Sequence, residues 1–225
     1  MSSPPPETAE ARRRILERIR SRQKRPSTLK PAEEGEALQW LGAHPRGPLP
    51  AIDADPIEHF VRRAEQLSSS VERIGSHAEA PAALARYLDA GGLPRRGVCY
   101  DELLSLDWAT AGIELEARPP RDEDLLGVTG CFCAIAETGS LVFASGRATP
   151  ASSHLLPETH VVLLDAKRIV AHQEDAFELM RRELGQIPRG FNTVSGPSRT
   201  GDIEQTIVLG AHGPYRVHVM IVDAA

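Results

Sequence analysis

Glu137 stands at a break between two apolar runs, in Ala134-Ile135-Ala136-Glu137-Thr138-Gly139-Ser140-Leu141. Gly139 permits a positive φ, so the chain can turn sharply there. A carboxylate at such an edge can be a nucleophile, a base or a ligand for a cationic group. It can equally cap backbone N–H groups in a tight turn. A second break, Ser195-Gly196-Pro197-Ser198-Arg199-Thr200-Gly201-Asp202-Ile203-Glu204, gathers hydroxyls, glycines and one arginine. A strand over Phe191–Val194 followed by a helix over Thr200–Leu209 would leave free N–H groups at a helix start beside Ser195, Ser198 and Arg199. Such a start binds phosphate or carboxylate. Asp202 and Glu204 favour the helix dipole but repel an anion that comes close. A capped helix start with nothing bound is the other outcome of the same pattern. His212, in Gly210-Ala211-His212-Gly213-Pro214, is a third candidate, placed at a surface edge where it can move a proton or hold an anion.

Weaker candidates surround these. Ser152-Ser153-His154 has no acid paired with it in the sequence, and a Ser–His pair depends on spatial adjacency. Asp165-Ala166-Lys167-Arg168 closes an apolar run and can bring cations near a site. Cys131 and Cys133 are two apart on an expected strand, so they should face one side as small buried residues.

The elements that must position these groups alternate. Asp55, Pro56 and Glu58 form a capping-box-like start for a helix whose apolar face is Ile57, Phe60, Val61, Ala64 and Leu67. Strands are expected at Val71–Ile74, Gly97–Tyr100, Ile113–Ala117, Gly130–Ala136, Ser140–Ala144, His160–Leu164, Phe191–Val194 and Arg216–Val222. Helices are expected at Pro81–Ala90, Asp101–Ala111, Asp122–Leu126, Gln173–Leu184 and Thr200–Leu209. Val161-Val162-Leu163-Leu164 and Val219-Met220-Ile221-Val222 are continuous apolar runs, as in strands covered on both faces. The class is therefore α/β, three-layered, with a mostly parallel sheet. Cys131–Ala136 and Leu141–Phe143 could pair as a tight antiparallel unit and make the sheet mixed.

Composition sets the bounds. The chain has 225 residues, 41% hydrophobic and 25% charged, as in an ordinary soluble protein. Its formal net charge of -5 argues against nucleic acid as a partner. Residues 1–25 hold eight Arg or Lys against three Glu. They are expected to form a helix over 7–24, solvated or touching an anionic surface. Residues 25–56 read as a Pro-rich arm in which Leu38, Trp40 and Leu41 should dock, so the expected division is an arm over 1–56 and a domain over 57–225. Three cysteines make no disulfide framework and no metal-ligand pattern, which suits a reducing, cytoplasmic setting. No apolar run approaches the length of about 18 residues that spans a bilayer, and no signal peptide is expected.

From about Ile57 to Asp223 the sequence resembles the LutC/YkgG family, whose members carry the LUD (lactate utilization) domain. The resemblance rests on Ala136-Glu137-Thr138-Gly139-Ser140-Leu141, on Ser195-Gly196-Pro197-Ser198-Arg199-Thr200 with Asp202-Ile203-Glu204, and on Gly210 with His212-Gly213-Pro214. It implies a NagB/RpiA/CoA-transferase-like fold, related at that level to 5-formyltetrahydrofolate cyclo-ligase. It also implies a part in oxidising L-lactate to pyruvate with two iron–sulfur proteins, LutA-like and LutB-like. This chain lacks a cluster-type cysteine run, so clusters are expected only in those partners, with no cofactor or metal on this chain. Glu137 and His212 are then the expected catalytic residues. Thr138, Gly139, Ser195, Gly196, Ser198, Arg199 and Thr200 would surround one small anionic metabolite.

Overall fold

The computed structural model describes residues 6–24, 30–203 and 205–224. Contacts divide the chain into residues 1–48 and residues 49–225. The first unit holds α1 (Pro6–Arg22) and α2 (Pro31–Ala43). α2 replaces part of the expected loose arm: Pro31 starts it, and Glu33 and Glu34 sit in its first turn, where they suit the helix dipole. Leu38, Trp40 and Leu41 were expected to dock, but all three are exposed.

The second unit begins ahead of its first helix, with Ile52 packed into the core and the Asp53 N–H donated to His59 Nδ1 at 3.0 Å. Its helices are α3 (Pro56–Gln66), α4 (Ala80–Gly91), α5 (Ser152–Leu155) and α6 (Gln173–Leu184). Asp55 caps α3 by accepting from the Ile57 N–H at 2.8 Å, with Pro56 at the first position. Glu58 does not complete a capping box. It pairs with Arg73 at 3.2 Å instead.

Six strands build the main sheet: β1 (Ser70–Ser76), β2 (Arg96–Cys99), β3 (Glu114–Glu116), β4 (Leu126–Gly130), β7 (Thr159–Asp165) and β12 (Arg216–Ala224). Their order is β1-β12-β7-β4-β2-β3, and each neighbouring pair is parallel. A second sheet has the order β8-β5-β6-β9, from β5 (Cys133–Ile135), β6 (Ser140–Ala144), β8 (Ile169–Val170) and β9 (Phe191–Val194). Its β5–β6 and β6–β9 pairs are antiparallel. β10 (Arg199–Ile203) and β11 (Thr206–Leu209) form a separate antiparallel hairpin.

Side-chain alternation along the central strands makes two cores. Val161 and Leu163 of β7, with Met220 and Val222 of β12, face Ala83, Leu84 and Leu88 of α4. Val162 and Leu164, with Val219 and Ile221, face Phe60 and Ala64 of α3 together with Leu141 and Phe143 of β6. The small sheet then turns Cys133, Ile135 and Val142 outward onto Ala176, Leu179 and Met180 of α6. The α/β class and the mostly parallel sheet agree with the sequence pattern. The three-layer expectation needs one amendment, because the small sheet lies between the main sheet and α6 and adds a layer on that side. Cys131 and Cys133 do not share a face: Cys131 precedes β5 and packs toward the second core, whereas Cys133 lies under α6.

Other expected helices fail for local reasons. Thr200–Leu209 is the β10–β11 hairpin, with Gln205 at φ 57 in its turn. Thr200, Ile203, Thr206, Ile207 and Val208 are β-branched and favour extended backbone over a helix. Only Asp101–Ser105 of the expected Asp101–Ala111 helix forms a 3-10 turn. The Trp108 indole N–H donates to the Leu103 carbonyl at 2.7 Å and folds the rest into turns. Leu126, the end of the expected Asp122–Leu126 helix, opens β4 and is fully buried.

Candidate functional site

The two sequence breaks come together in space. Thr138 Oγ1 lies 2.7 Å from Ser140 Oγ, which lies 2.6 Å from Ser195 Oγ. The antiparallel β6–β9 register, Leu141 opposite Val194, places those hydroxyls side by side. Glu137 follows β5, and its N–H donates to the Ala171 carbonyl at 3.0 Å. Its carboxylate meets His172 Nδ1 at 3.0 Å, with the two side chains 23% and 13% exposed. Asp175 accepts the His172 N–H at 2.8 Å and fixes the start of α6. A carboxylate and an imidazole in hydrogen-bond contact, both largely buried, can hold and pass a proton. The sequence pattern did not single out His172, because its partner lies 35 residues away across β5 and β8.

Three residues of the expected anion cradle, Gly139, Gly196 and Arg199, serve helix α3 instead. Gly139 has φ 65, and a Cβ there would lie 2.7 Å from the Ala64 nitrogen. Gly196 has φ 78, and a Cβ there would overlap the Leu67 carbonyl oxygen. Arg199 Nη2 donates to that same oxygen at 3.3 Å and to Ser68 Oγ at 2.5 Å. A guanidinium at this end complements the negative C-terminus of α3. No helix follows Ser198, so the free N–H groups of a helix start do not form. Its N–H goes to the Pro214 carbonyl at 2.9 Å, and its carbonyl accepts from Gly210 at 2.9 Å. Thr200 is buried, while His212 is exposed in the turn before β12. Asp202 Cα lies in β10, and Glu204 lies outside the described residues.

A separate cleft opens at the carboxyl ends of the parallel strands, where ligands collect in open α/β sheets. It has a volume of about 540 Å³ and is lined by Tyr100 after β2, Gly130 at the end of β4, Phe132, Glu102 and Arg168, among others. Arg168 donates through Nε to the Phe132 carbonyl at 2.8 Å and through Nη1 to both Glu183 oxygens at 2.8 and 2.9 Å. Behind the wall lie His154 and His160, both fully buried. His154 meets Tyr100 Oη at 3.4 Å through Nδ1 and Asn192 Nδ2 at 2.9 Å through Nε2. Phe143 stacks on His154 with ring centroids 4.3 Å apart. Burial lowers His154 to about 4 and His160 to about 3, so both rings are neutral at pH 7. Burial pushes the Cys131 thiol well above its ordinary value, which leaves it a neutral S–H in the wall. Tyr100 and Asn192 drew no notice as site residues in the sequence, because Tyr100 follows and Asn192 lies within an ordinary strand pattern.

Among the described residues, no group of three or more His, Cys, Asp and Glu side chains could hold a metal ion. No described helix is long and apolar enough to cross a membrane.

Comparison with known proteins places this architecture in a family. A LUD domain profile matches residues 57–222. A Deinococcus radiodurans protein called Lactate utilization protein C is 29% identical over 225 residues, covering 96% of this chain and 98% of its own. A Bacillus subtilis protein of the same name is 27% identical over 133 residues, 54% of this chain and 55% of that one. The Bacillus licheniformis counterpart is 32% identical, with 52% and 50% covered. The chain thus matches about half the length of the two Bacillus relatives. The crystal structure of a DUF162 family protein from Deinococcus radiodurans superimposes with a TM-score of 0.58 at 25% identity, over 77% of this chain and all of that one. The match over residues 57–222, carried on the α/β unit that holds both candidate sites, makes this chain a member of the LUD domain family.

Proposed function

We propose that this chain acts in lactate utilization, as a non-cluster subunit or accessory in the oxidation of L-lactate to pyruvate. The observation that carries the proposal is the end-to-end similarity to the Deinococcus radiodurans Lactate utilization protein C. Its working partners are iron–sulfur proteins of the LutA-like and LutB-like kinds, which would carry the electrons. The Glu137–His172 pair and the Thr138, Ser140 and Ser195 hydroxyls form the edge assigned to a small anionic metabolite. The hydroxyls donate to its oxygens, and Glu137 accepts a proton.

The decisive experiment is a reconstituted L-lactate oxidation assay with purified iron–sulfur partners. This chain is added, omitted, or supplied as Glu137→Gln. Loss of pyruvate formation on omission supports the assignment to lactate oxidation. An unchanged rate without the chain removes it. A full rate with Glu137→Gln would leave the chain as a metabolite-sensing, non-catalytic subunit.

A second reading rests on Glu137 being partly open to solvent. In a CoA-transferase-like or formyltetrahydrofolate cyclo-ligase-like enzyme, its carboxylate would attack an acyl or phosphoryl group. Intact-mass measurement after incubation with acyl-CoA thioesters tests this directly. Absence of a glutamyl adduct and of CoA exchange eliminates it.

A further inference from the structure

The basic arm is a motif of the sequence that neither candidate site uses. Over residues 8–24 it holds seven Arg or Lys against two Glu, a net charge of +5. Residues 49–225 hold 16 Arg or Lys against 25 Asp or Glu, a net charge of -9. The arm attracts an anionic surface and the rest of the chain repels it, so a contact with one is confined to the arm.

Helix α1 offers more than charge. Ile15 and Ile19 lie one turn apart and Leu16 sits beside them, so the three form a single apolar stripe. Ile15 is 60% exposed, Ile19 is exposed and Leu16 is half-buried. Arg12 and Arg22 continue the stripe at either end, and Arg13 and Arg20 lie one turn either side of Leu16. From Thr8 onward no residue of the helix is buried. Its 17 residues are close to the lower limit of about 15 for a helix standing alone in water, so a surface that covers the stripe stabilises it. In α2, Leu38, Trp40 and Leu41 are exposed, Trp40 at 65%, and no residue of that helix is buried. Glu33, Glu34 and Glu36 all precede this apolar end, and residues 37–43 carry no charged side chain.

Charge and apolar exposure together select the kind of surface. Nucleic acid is gripped through its phosphates and gains nothing from covering Ile15, Leu16, Ile19 or Trp40. An anionic bilayer uses both features. Its headgroups attract the arginines, whose aliphatic stems reach past a stripe that sinks to the acyl boundary, and tryptophan favours that boundary. We propose that α1 and α2 seat this protein on an anionic lipid surface, α1 through its arginines and its Ile15, Leu16 and Ile19 stripe, α2 through Leu38, Trp40 and Leu41. The contact is peripheral, since neither helix is long and apolar enough to cross the bilayer. It does not rest on the lactate assignment.

The test is cosedimentation of the full chain with two kinds of vesicle, phosphatidylcholine alone and phosphatidylcholine with about one third phosphatidylglycerol. The protein should be retained on the anionic vesicles only. Retention should fall about tenfold or more as salt rises from about 50 to about 300 mM. Arg13→Glu with Arg20→Glu should weaken it about tenfold or more. Ile15→Ser with Ile19→Ser, which leaves the charge unchanged, should weaken it about tenfold. All four positions are exposed, so the melting temperature should not move. Tryptophan emission should shift to the blue on the anionic vesicles. The other tryptophan, Trp108, is 4% exposed with its indole N–H on the Leu103 carbonyl, so the shift reports Trp40. Retention on neither vesicle overturns the proposal, as does equal retention on both. Unchanged emission overturns the part given to α2. Tighter binding to duplex DNA than to the anionic vesicles, unaffected by the serine pair, assigns the arm to nucleic acid instead. A dimer that the same substitutions dissolve, without vesicle binding, assigns it to a second copy of this chain.

Discussion

Ser140 Oγ and Ser195 Oγ, 55 residues apart in sequence, lie 2.6 Å from each other. This contact is the junction of the two segments that carry the family resemblance. Glu137, three residues before Ser140, pairs with His172, and Gly196, next to Ser195, packs on Leu67 at the end of α3. The segments that meet there carry both the Glu137–His172 pair and a structural clasp on α3, and substitutions should separate the two.

Gly196→Ala should damage the clasp. Alanine at φ 78 is strained, and its Cβ would overlap the Leu67 carbonyl, a backbone atom that cannot swing away. The expected loss is about 3 kcal/mol or more, from the left-handed backbone and the overlap together. Urea unfolding checks it; a variant within about 0.5 kcal/mol of the parent contradicts the described packing.

Glu137→Gln should leave the clasp intact. The amide has the shape of the carboxylate and can still pair with His172. Stability should change by less than about 1 kcal/mol, whereas the reconstituted lactate oxidation rate should fall by about tenfold or more. Equal losses of stability and rate would assign Glu137 a purely structural part.

Stability should fall as the pH drops from about 6.5 to about 4. His154, His160 and His218 are lowered to about 4, 3 and 4, chiefly by burial. Their unfolded-state values lie near 6.5, so in this window the unfolded chain binds more protons. The stabilisation is fully present above about pH 6.5 and is lost as pH falls through the folded values. By pH 5 each ring contributes a loss on the order of 2 kcal/mol. Urea unfolding at pH 7.5 and pH 5 gives the slope, and His160→Gln should flatten it. A flat profile would mean that these rings are hydrated in solution.

The thiols should react slowly. Burial raises Cys99 to about 11 and Cys133 to about 12, and it also raises Cys131. At pH 8 all three native thiols should react slowly with a disulfide reagent, the partly exposed Cys131 least slowly. The unfolded chain should show all three cysteines. Any fast equivalent in the native state would contradict this burial.

Much of the fold was legible because its signals are local. The apolar runs at Val161–Leu164 and Val219–Val222 could only be strands covered on both faces, and each is buried as alternation requires. Asp55-Pro56 announced α3 through its own cap. Residues 200–209 failed because acidic residues after a turn suggest a helix start, while the β-branched residues there favour a hairpin. Leu38, Trp40 and Leu41 suggested docking by composition alone, and composition names no partner surface.

The sequence by itself determined the α/β class, the sharp turn at Gly139, and Glu137 with the hydroxyls that follow it as a point of interest. These depend on side-chain period, on backbone freedom and on residue type, all of which are written within a few positions. Only the tertiary structure decided what those groups touch. It brought His172 to Glu137, turned Arg199 onto the end of α3, and set His154 and Asn192 behind Tyr100. Each of these contacts closes a loop of tens of residues or more, and its partner is fixed by strand register and sheet packing rather than by any neighbouring residue.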